Sequence, residues 1–299
     1  MVRNVVAGID GSPEGLAAAH WAAQEALRRG AALSLVHVWH RTVRPAPSIP
    51  PENTEHAWAE RLLRETADSI RAAHPTLAIA VRLTCDAPVS ALLAAAREAD
   101  LLVLGSLGLG RVAGFVTGSV SQRVVGRASC PVVLVRAGRA AADEHLPAVD
   151  GVAPEEIPET PYRAVVLGLD VTQPCDDLIS FAFDAAHRRG SELRVIHVFQ
   201  EPPSDAALPA LTGPELLAAE ERTVVAALRP WCEKYPDVSV TETVLEGRAA
   251  PELVRAAAGA GLVVVGRRTG GGRLGARTGP IAHAVLHHAG CPVAVVPHA

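Results

Sequence analysis

The chain repeats itself. Val5-Val6-Ala7-Gly8-Ile9-Asp10 returns as Val165-Val166-Leu167-Gly168-Leu169-Asp170, 160 residues on. Arg28-Arg29-Gly30 and His37-Val38 return as Arg188-Arg189-Gly190 and His197-Val198 at the same offset, while Cys130-Pro131-Val132 returns as Cys291-Pro292-Val293 at 161. Leu101 to Gly105 likewise corresponds to Leu262 to Gly266. An offset this constant through separate blocks marks a duplicated domain, so the fold is two copies of one small architecture. The expected boundaries are 1–137 and 162–299, joined by a linker at 138–161 that is rich in Ala, Pro and Glu and has no hydrophobic period.

Within the first copy, strand and helix patterns alternate. Val5 to Ile9 is a short apolar run that reads as a buried strand. Ser12-Pro13-Glu14 then supplies a cap, a proline for the first helical position and an early acid. Leu16, Ala19, Ala23 and Leu27 follow at helical spacing, and Gly30 ends the helix. Leu33–Trp39 is the second strand, and Trp58, Leu62, Thr66, Ile70 and Ala73 mark the second helix. Residues 77–85 alternate in polarity, as expected of an edge strand. Pro88–Glu98, Asp100–Gly105, Ser119–Ala128 and Pro131–Arg136 complete the order as helix, strand, helix and strand. Connections this long require a parallel sheet with helices on both faces, an α/β doubly wound domain. Such sheets bind ligands beyond the carboxyl ends of the strands, where the winding reverses. Asp10 and Gly105 both fall at such ends.

Composition removes several alternatives. The net charge of −4 and pI near 6.3 provide no basic field for nucleic acid. Lys234 is the only lysine, so no lysine-based phosphate loop exists. No apolar run reaches the roughly 18 residues a membrane span needs, and no signal-peptide pattern precedes the first strand. Five cysteines without CxxC spacing read as reduced thiols of a cytoplasmic protein. Aromatics are 3% of residues against 49% hydrophobic, which predicts an aliphatic core with helices lying close on the sheet.

The motif that bears chemistry lies between the fourth strand and fourth helix: Gly105, Gly108, Gly118 and Ser119, spaced G-x2-G-x9-G-S. Glycines let a main chain approach a ligand without a Cβ intervening, and amides and a hydroxyl at a helix start suit an anion. The alternative on local sequence is an ordinary strand–helix turn with Ser119 as a plain cap. The spacing is neither a Walker loop nor the dinucleotide fingerprint, which follows a first strand.

This loop, the opening strand ending Gly8-Ile9-Asp10-Gly11-Ser12, and the tail Cys130-Pro131-Val132-Val133-Leu134-Val135 resemble the universal stress protein family, over residues 3–136 and 163–297. The resemblance implies two tandem Rossmann-like domains, each a five-stranded parallel sheet of order 3-2-1-4-5. It also implies bound ATP, with Mg2+ or Mn2+ bridging its phosphates. Gly8 and Asp10 would then border the adenine or ribose, and Val38 would meet the base through its backbone. Gly105, Gly108, Gly118 and Ser119 would hold the phosphates, with Leu109, Gly110, Arg111 and Val120 beside them.

The second copy departs from the pattern. Gly266 and Gly279 keep their separation, but Thr269 replaces the second glycine and Pro280 the serine. Pro280 contributes neither N–H nor hydroxyl. Weak or absent ATP binding is therefore expected there, although Asp170 and Val198 preserve a nucleoside pocket.

Other features read as structural. His283 and His287 stand four apart on the last helix without a third metal ligand in sight, and His287 and His288 are expected to solvate the helix end. His37 and His197 read as satisfied core or pocket-wall histidines, Cys130 and Cys291 as small apolar residues rather than redox sensors, and Glu52, Glu55, Glu60, Glu65 and Asp68 as a solvated face. No catalytic constellation stands out. The expected function is a cytoplasmic, ATP-binding stress-response module, in which ATP orders the Gly105–Gly118 loop and a protein partner reads the change. The alternatives are a slow ATP hydrolase or nucleotidyl transferase, with Asp10 its one candidate base, and a scaffold that has lost its ligand. The apolar final strands, 132–135 and 293–296, are expected to pair the two copies within a chain, and a homodimer is left open.

Overall fold

The computed structural model describes residues 4–39, 52–106, 119–138, 141–146, 160–200, 213–269 and 278–298. The chain folds as two compact units, residues 1–139 with 276–278 and residues 140–275 with 279–299.

In the first unit the strands β1 (Asn4–Ile9), β2 (Ala32–Trp39), β3 (Ile79–Cys85), β4 (Leu101–Ser106) and β5 (Val132–Arg136) form a parallel sheet of order β3-β2-β1-β4-β5. Helices α1 (Pro13–Arg29) and α2 (Glu52–Ala73) contact each other, as do α3 (Pro88–Arg97) and α4 (Ser119–Val125), so each pair covers one face. The winding reverses between β1 and β4, and right-handed crossovers put the two helix pairs on opposite faces for that reason. β1 and β4 are central and almost continuously buried, whereas β3 at the edge keeps its wetter pattern, with Val81 and Arg82 exposed.

Helix α1 begins where the cap chemistry demands. Ser12 holds extended backbone ahead of Pro13, and its hydroxyl accepts the Gly15 amide at 3.0 Å. Its buried face is mostly alanine, Ala18, Ala19, Ala22, Ala23 and Ala26, which lets the helix lie close on β1, β4 and β5. The predicted stripe is therefore displaced: Leu27 is exposed, and the buried face includes Trp21 and Glu25. Glu25 is 1% exposed and is bound by the guanidinium Nε atoms of Arg28 and Arg29 at 3.0 and 2.6 Å. A carboxylate can sit on that face because two cations one turn later neutralise it.

The second unit repeats the topology. Strands β6 (Val165–Leu169), β7 (Leu193–Phe199), β8 (Val240–Glu246), β9 (Leu262–Arg268) and β10 (Val293–His298) lie in the order β8-β7-β6-β9-β10, all parallel. Helices α5 (Asp176–Arg189) and α6 (Gly213–Lys234) contact each other, as do α7 (Ala249–Ala257) and α8 (Pro280–His288). Its core corrects the purely aliphatic expectation. Phe183, fully buried, stacks on Tyr235 at 5.8 Å and lies 6.5 Å from Trp231, where the first unit has Ala23.

Part of the expected linker belongs to this second unit. His145 bridges Tyr162 in antiparallel fashion, its ring lies 4.0 Å from the Tyr162 ring, and the Arg163 amide donates to Glu144 O at 2.8 Å.

Candidate functional site

The switch point of the first unit gathers the polar groups. Asp10 follows the last residue of β1, and its Oδ1 accepts the amide and the hydroxyl of Ser12 at 3.0 and 2.5 Å. The same hydroxyl caps α1, so one three-residue turn fixes both the helix start and the carboxylate. The Leu33 amide donates to Ala78 O, so alternation along β2 turns the main-chain groups of Val38 towards β1. The β1 ladder stops at Ile9 opposite His37, which leaves the Val38 carbonyl facing the space beside Asp10.

Gly105 is enforced by packing before any ligand is considered. A Cβ there would lie 2.7 Å from the Glu14 carbonyl carbon and 2.8 Å from the Gly15 amide nitrogen, both main-chain atoms of the α1 first turn. Gly8 meets side chains instead, with the tips of Leu104 and Leu92 at 2.6 and 2.9 Å from the Cβ position.

Two serines missed by the sequence reading complete the arrangement. The Ser121 hydroxyl donates to Gly105 O at 3.0 Å, tying the first turn of α4 to the end of β4. Ser119 and Val120, which open α4, are thereby held close to Gly105, so both ends of the glycine motif meet. Ser106, 2% exposed at the end of β4, has a buried hydroxyl with no hydrogen-bond partner among the described residues. Its signal in the sequence was its place beside Gly105; Ser121 had only its place in the Val-Ser-Gln run. Gly108, Leu109, Gly110, Arg111 and Gly118 lie outside the described residues.

The corresponding place in the second unit is filled by its own side chains. Asp170 accepts the Thr172 amide and hydroxyl at 3.1 and 2.6 Å, as Asp10 does from Ser12, but it also binds Arg268 Nη2 at 2.9 Å. Helix α5 starts at Asp176, three residues later than α1 by the repeat, and Pro174 disfavours helical backbone at Gln173. His298 occupies the room this leaves. Its Nδ1 meets Pro174 O at 3.1 Å, and its Nε2 would lie 2.5 Å from a Cβ on Gly266. Thr269 turns its amide and hydroxyl onto His298 O at 2.8 and 2.9 Å. Gly279 precedes Pro280 at the start of α8, and Ala282 stands where the first unit has Ser121. Val198 keeps the orientation of Val38, beyond the Leu169–His197 end of the β6 ladder.

Desolvation would raise the Asp170 carboxyl, but hydrogen bonds from Thr172 and the charge and hydrogen bond of Arg268 outweigh it and hold it below its ordinary 3.8. A depressed carboxylate contributes stability above its unfolded pKa and loses it as pH falls through the folded one. The second unit is therefore expected to lose stability as pH falls from neutrality to below 3.8. Arg268→Ala should shrink that loss by no more than about 1 kcal/mol, since the pair is half exposed. Urea unfolding at the two ends of the range, with the Asp170 carboxyl followed by NMR, measures it.

The remaining candidates are structural, with one correction. His287 is buried, not solvated, with its Nε2 3.1 Å from that of His283; His288 is exposed. Among the described residues no group of three or more His, Cys, Asp or Glu is placed to hold a metal. Burial pushes the Cys130 thiol up to about 11, which leaves it protonated and unreactive near neutral pH. His37 and His197 each bond a β1 or β6 carbonyl through Nδ1, at 2.8 Å to Ile9 O and 3.0 Å to Leu169 O. No helix among the described residues is long and apolar enough to cross a membrane.

Fold and site together define a tandem pair of doubly wound α/β domains, each with its polar groups gathered where the winding reverses. The model of the universal stress protein family matches residues 1–136 and 161–297, and the chain belongs to that family. It is 35% identical over 303 residues to Universal stress protein Rv2005c of Mycobacterium tuberculosis, covering 98% of this chain and 96% of that one. The crystal structure of a universal stress protein from Archaeoglobus fulgidus DSM 4304 shares the fold at a TM-score of 0.70 and 17% identity, over 99% of this chain and 98% of that one. A universal stress protein solved in complex with cAMP matches 46% of this chain and 98% of its own, at 30% identity and a TM-score of 0.37.

Proposed function

We propose that the protein is a cytoplasmic stress-response protein that binds ATP, with a divalent cation on the phosphates, in its first unit, and that a partner reads the nucleotide-bound surface. The observation that carries this reading is the Ser121–Gly105 hydrogen bond, which draws the α4 start to the end of β4 beside Asp10 and the Ser106 hydroxyl, buried and unpartnered among the described residues. Those groups fit a nucleotide. Asp10 and the Val38 carbonyl suit the nucleoside, while Ser106, Ser119 and the start of α4 supply donors for phosphate. Gly108, Gly118 and Arg111 add main-chain approach and a cation in the same motif. The metal would be held by the phosphates, since the described residues offer it no carboxylate cluster.

The second unit supports a single site per chain, because Arg268 occupies the carboxylate and His298 the space under Gly266. Calorimetry on protein stripped of nucleotide tests the reading: ATP with Mg2+ should give heat that saturates at a single ATP per chain. Absence of heat would overturn it, and turnover of ATP at substrate concentration would favour a hydrolase.

Ser121→Ala provides a graded test. Loss of one hydrogen bond costs about 1 kcal/mol of stability, and ATP affinity should fall about fivefold as the helix start loosens. Urea unfolding and calorimetry read the two effects separately.

A further inference from the structure

Trp58 is the one aromatic residue among the large hydrophobic side chains left exposed in the described residues, at 48%. An indole left half in water is costly, and this one is not loose. Its Cη2 and Cζ2 each lie 3.0 Å from the position of a Cβ on Gly11, the residue after Asp10. Gly11 has φ +82°, so the chain there both turns with a glycine and leaves room for the ring. Trp58 also meets His37 edge-on at 5.6 Å, and His37 is fixed by its bond to Ile9 O. Two residues earlier, His56 meets Trp39 edge-on at 5.4 Å. Two aromatic contacts therefore pin α2 to the carboxyl end of β2, with the indole beside the Asp10 turn.

The second unit is built differently at this place. α2 and α6 begin and end 161 residues apart, which puts Ala219 where the first unit has Trp58. There His197 Nε2 meets Glu220 Oε2 at 3.2 Å, so a charged side chain stands where the first unit offers a ring. The aromatic surface thus accompanies the unit whose Asp10 is bound by no arginine among its described contacts.

We infer that Trp58 is the base-stacking residue of the first unit: its exposed indole covers the purine of the bound nucleotide and so sets preference for a base over bare phosphate. This rests on the nucleotide reading of that unit. An aromatic face accepts any base, and a purine offers it the largest overlap.

Calorimetry and tryptophan emission on the full, nucleotide-stripped chain test the assignment with ATP and Mg2+. Wild type should bind and show quenched emission. W58F should keep affinity within about threefold yet lose the quench, and W58A should bind about tenfold more weakly, the scale of base–aromatic stacking. Quenching that persists in W58F, or W58A binding as tightly as wild type, overturns the assignment and leaves the ATP site standing. No binding by wild type removes the site and the assignment together. If W58A fails to fold, the W58F quench decides.

Discussion

Gly105→Ala is expected to destabilise the first unit by about 1–3 kcal/mol and to abolish the ATP binding proposed for it. The added methyl would lie under 3.0 Å from main-chain atoms of Glu14 and Gly15, and a helix turn cannot move aside as a side-chain tip can. Relief requires α1 to lift from β4. That motion carries the capped turn with it, because Ser12 bonds both the α1 amide and Asp10. Stability and ligand binding should fall together. Gly8→Ala is the internal contrast: its methyl would meet only the ends of Leu104 and Leu92, which can rotate, so a smaller loss is expected. Urea unfolding monitored through the first unit, with calorimetry alongside, distinguishes the two. Equal losses for both variants would show that α1 yields more readily than its geometry indicates.

Phe183→Ala is expected to cost the second unit about 3–5 kcal/mol, enough to unfold a marginal domain near physiological temperature. The ring is fully buried and stacked on Tyr235, with Trp231 behind it, so its removal leaves a cavity and ends an aromatic stack. Neither neighbour can close the gap by a small rotation, since each is anchored in or just after α6: the Tyr235 amide donates to Trp231 O. Calorimetric unfolding should show the transition of the second unit at markedly lower temperature. Phe183→Leu, which keeps most of the volume, should recover most of the loss.

Much of the fold was legible because its signals are local. Ser12-Pro13-Glu14 wrote the start of α1 into three consecutive residues, and the alternation of residues 79–85 announced an edge strand. The repeat then doubled every inference. Features that escaped depend on contacts across the sequence. Arg268 reaches Asp170 across 98 residues and His298 reaches Pro174 across 124, so nothing near any of them signals the pairing. The late start of α5 was readable in principle, because a proline at 174 disfavours helix at 173, yet the close match of Thr172 to Ser12 pointed the other way. Glu25 escaped because its neutralising arginines look like an ordinary basic helix end. Leu27 was taken for core by spacing alone, whereas the small-residue face of α1 decides which side lies down.

The wedge of His298 under Gly266 gives the molecule a built-in reference. Both halves share strand order and the carboxylate turn, but one has its cleft plugged from within, so salt, temperature or a competing anion acting through the architecture must register in both. A response confined to the N-terminal half comes from what that half alone carries, Trp58 and the carboxylate of Asp10 among it, and the comparison is made inside one polypeptide at equal concentration, with no separate control protein.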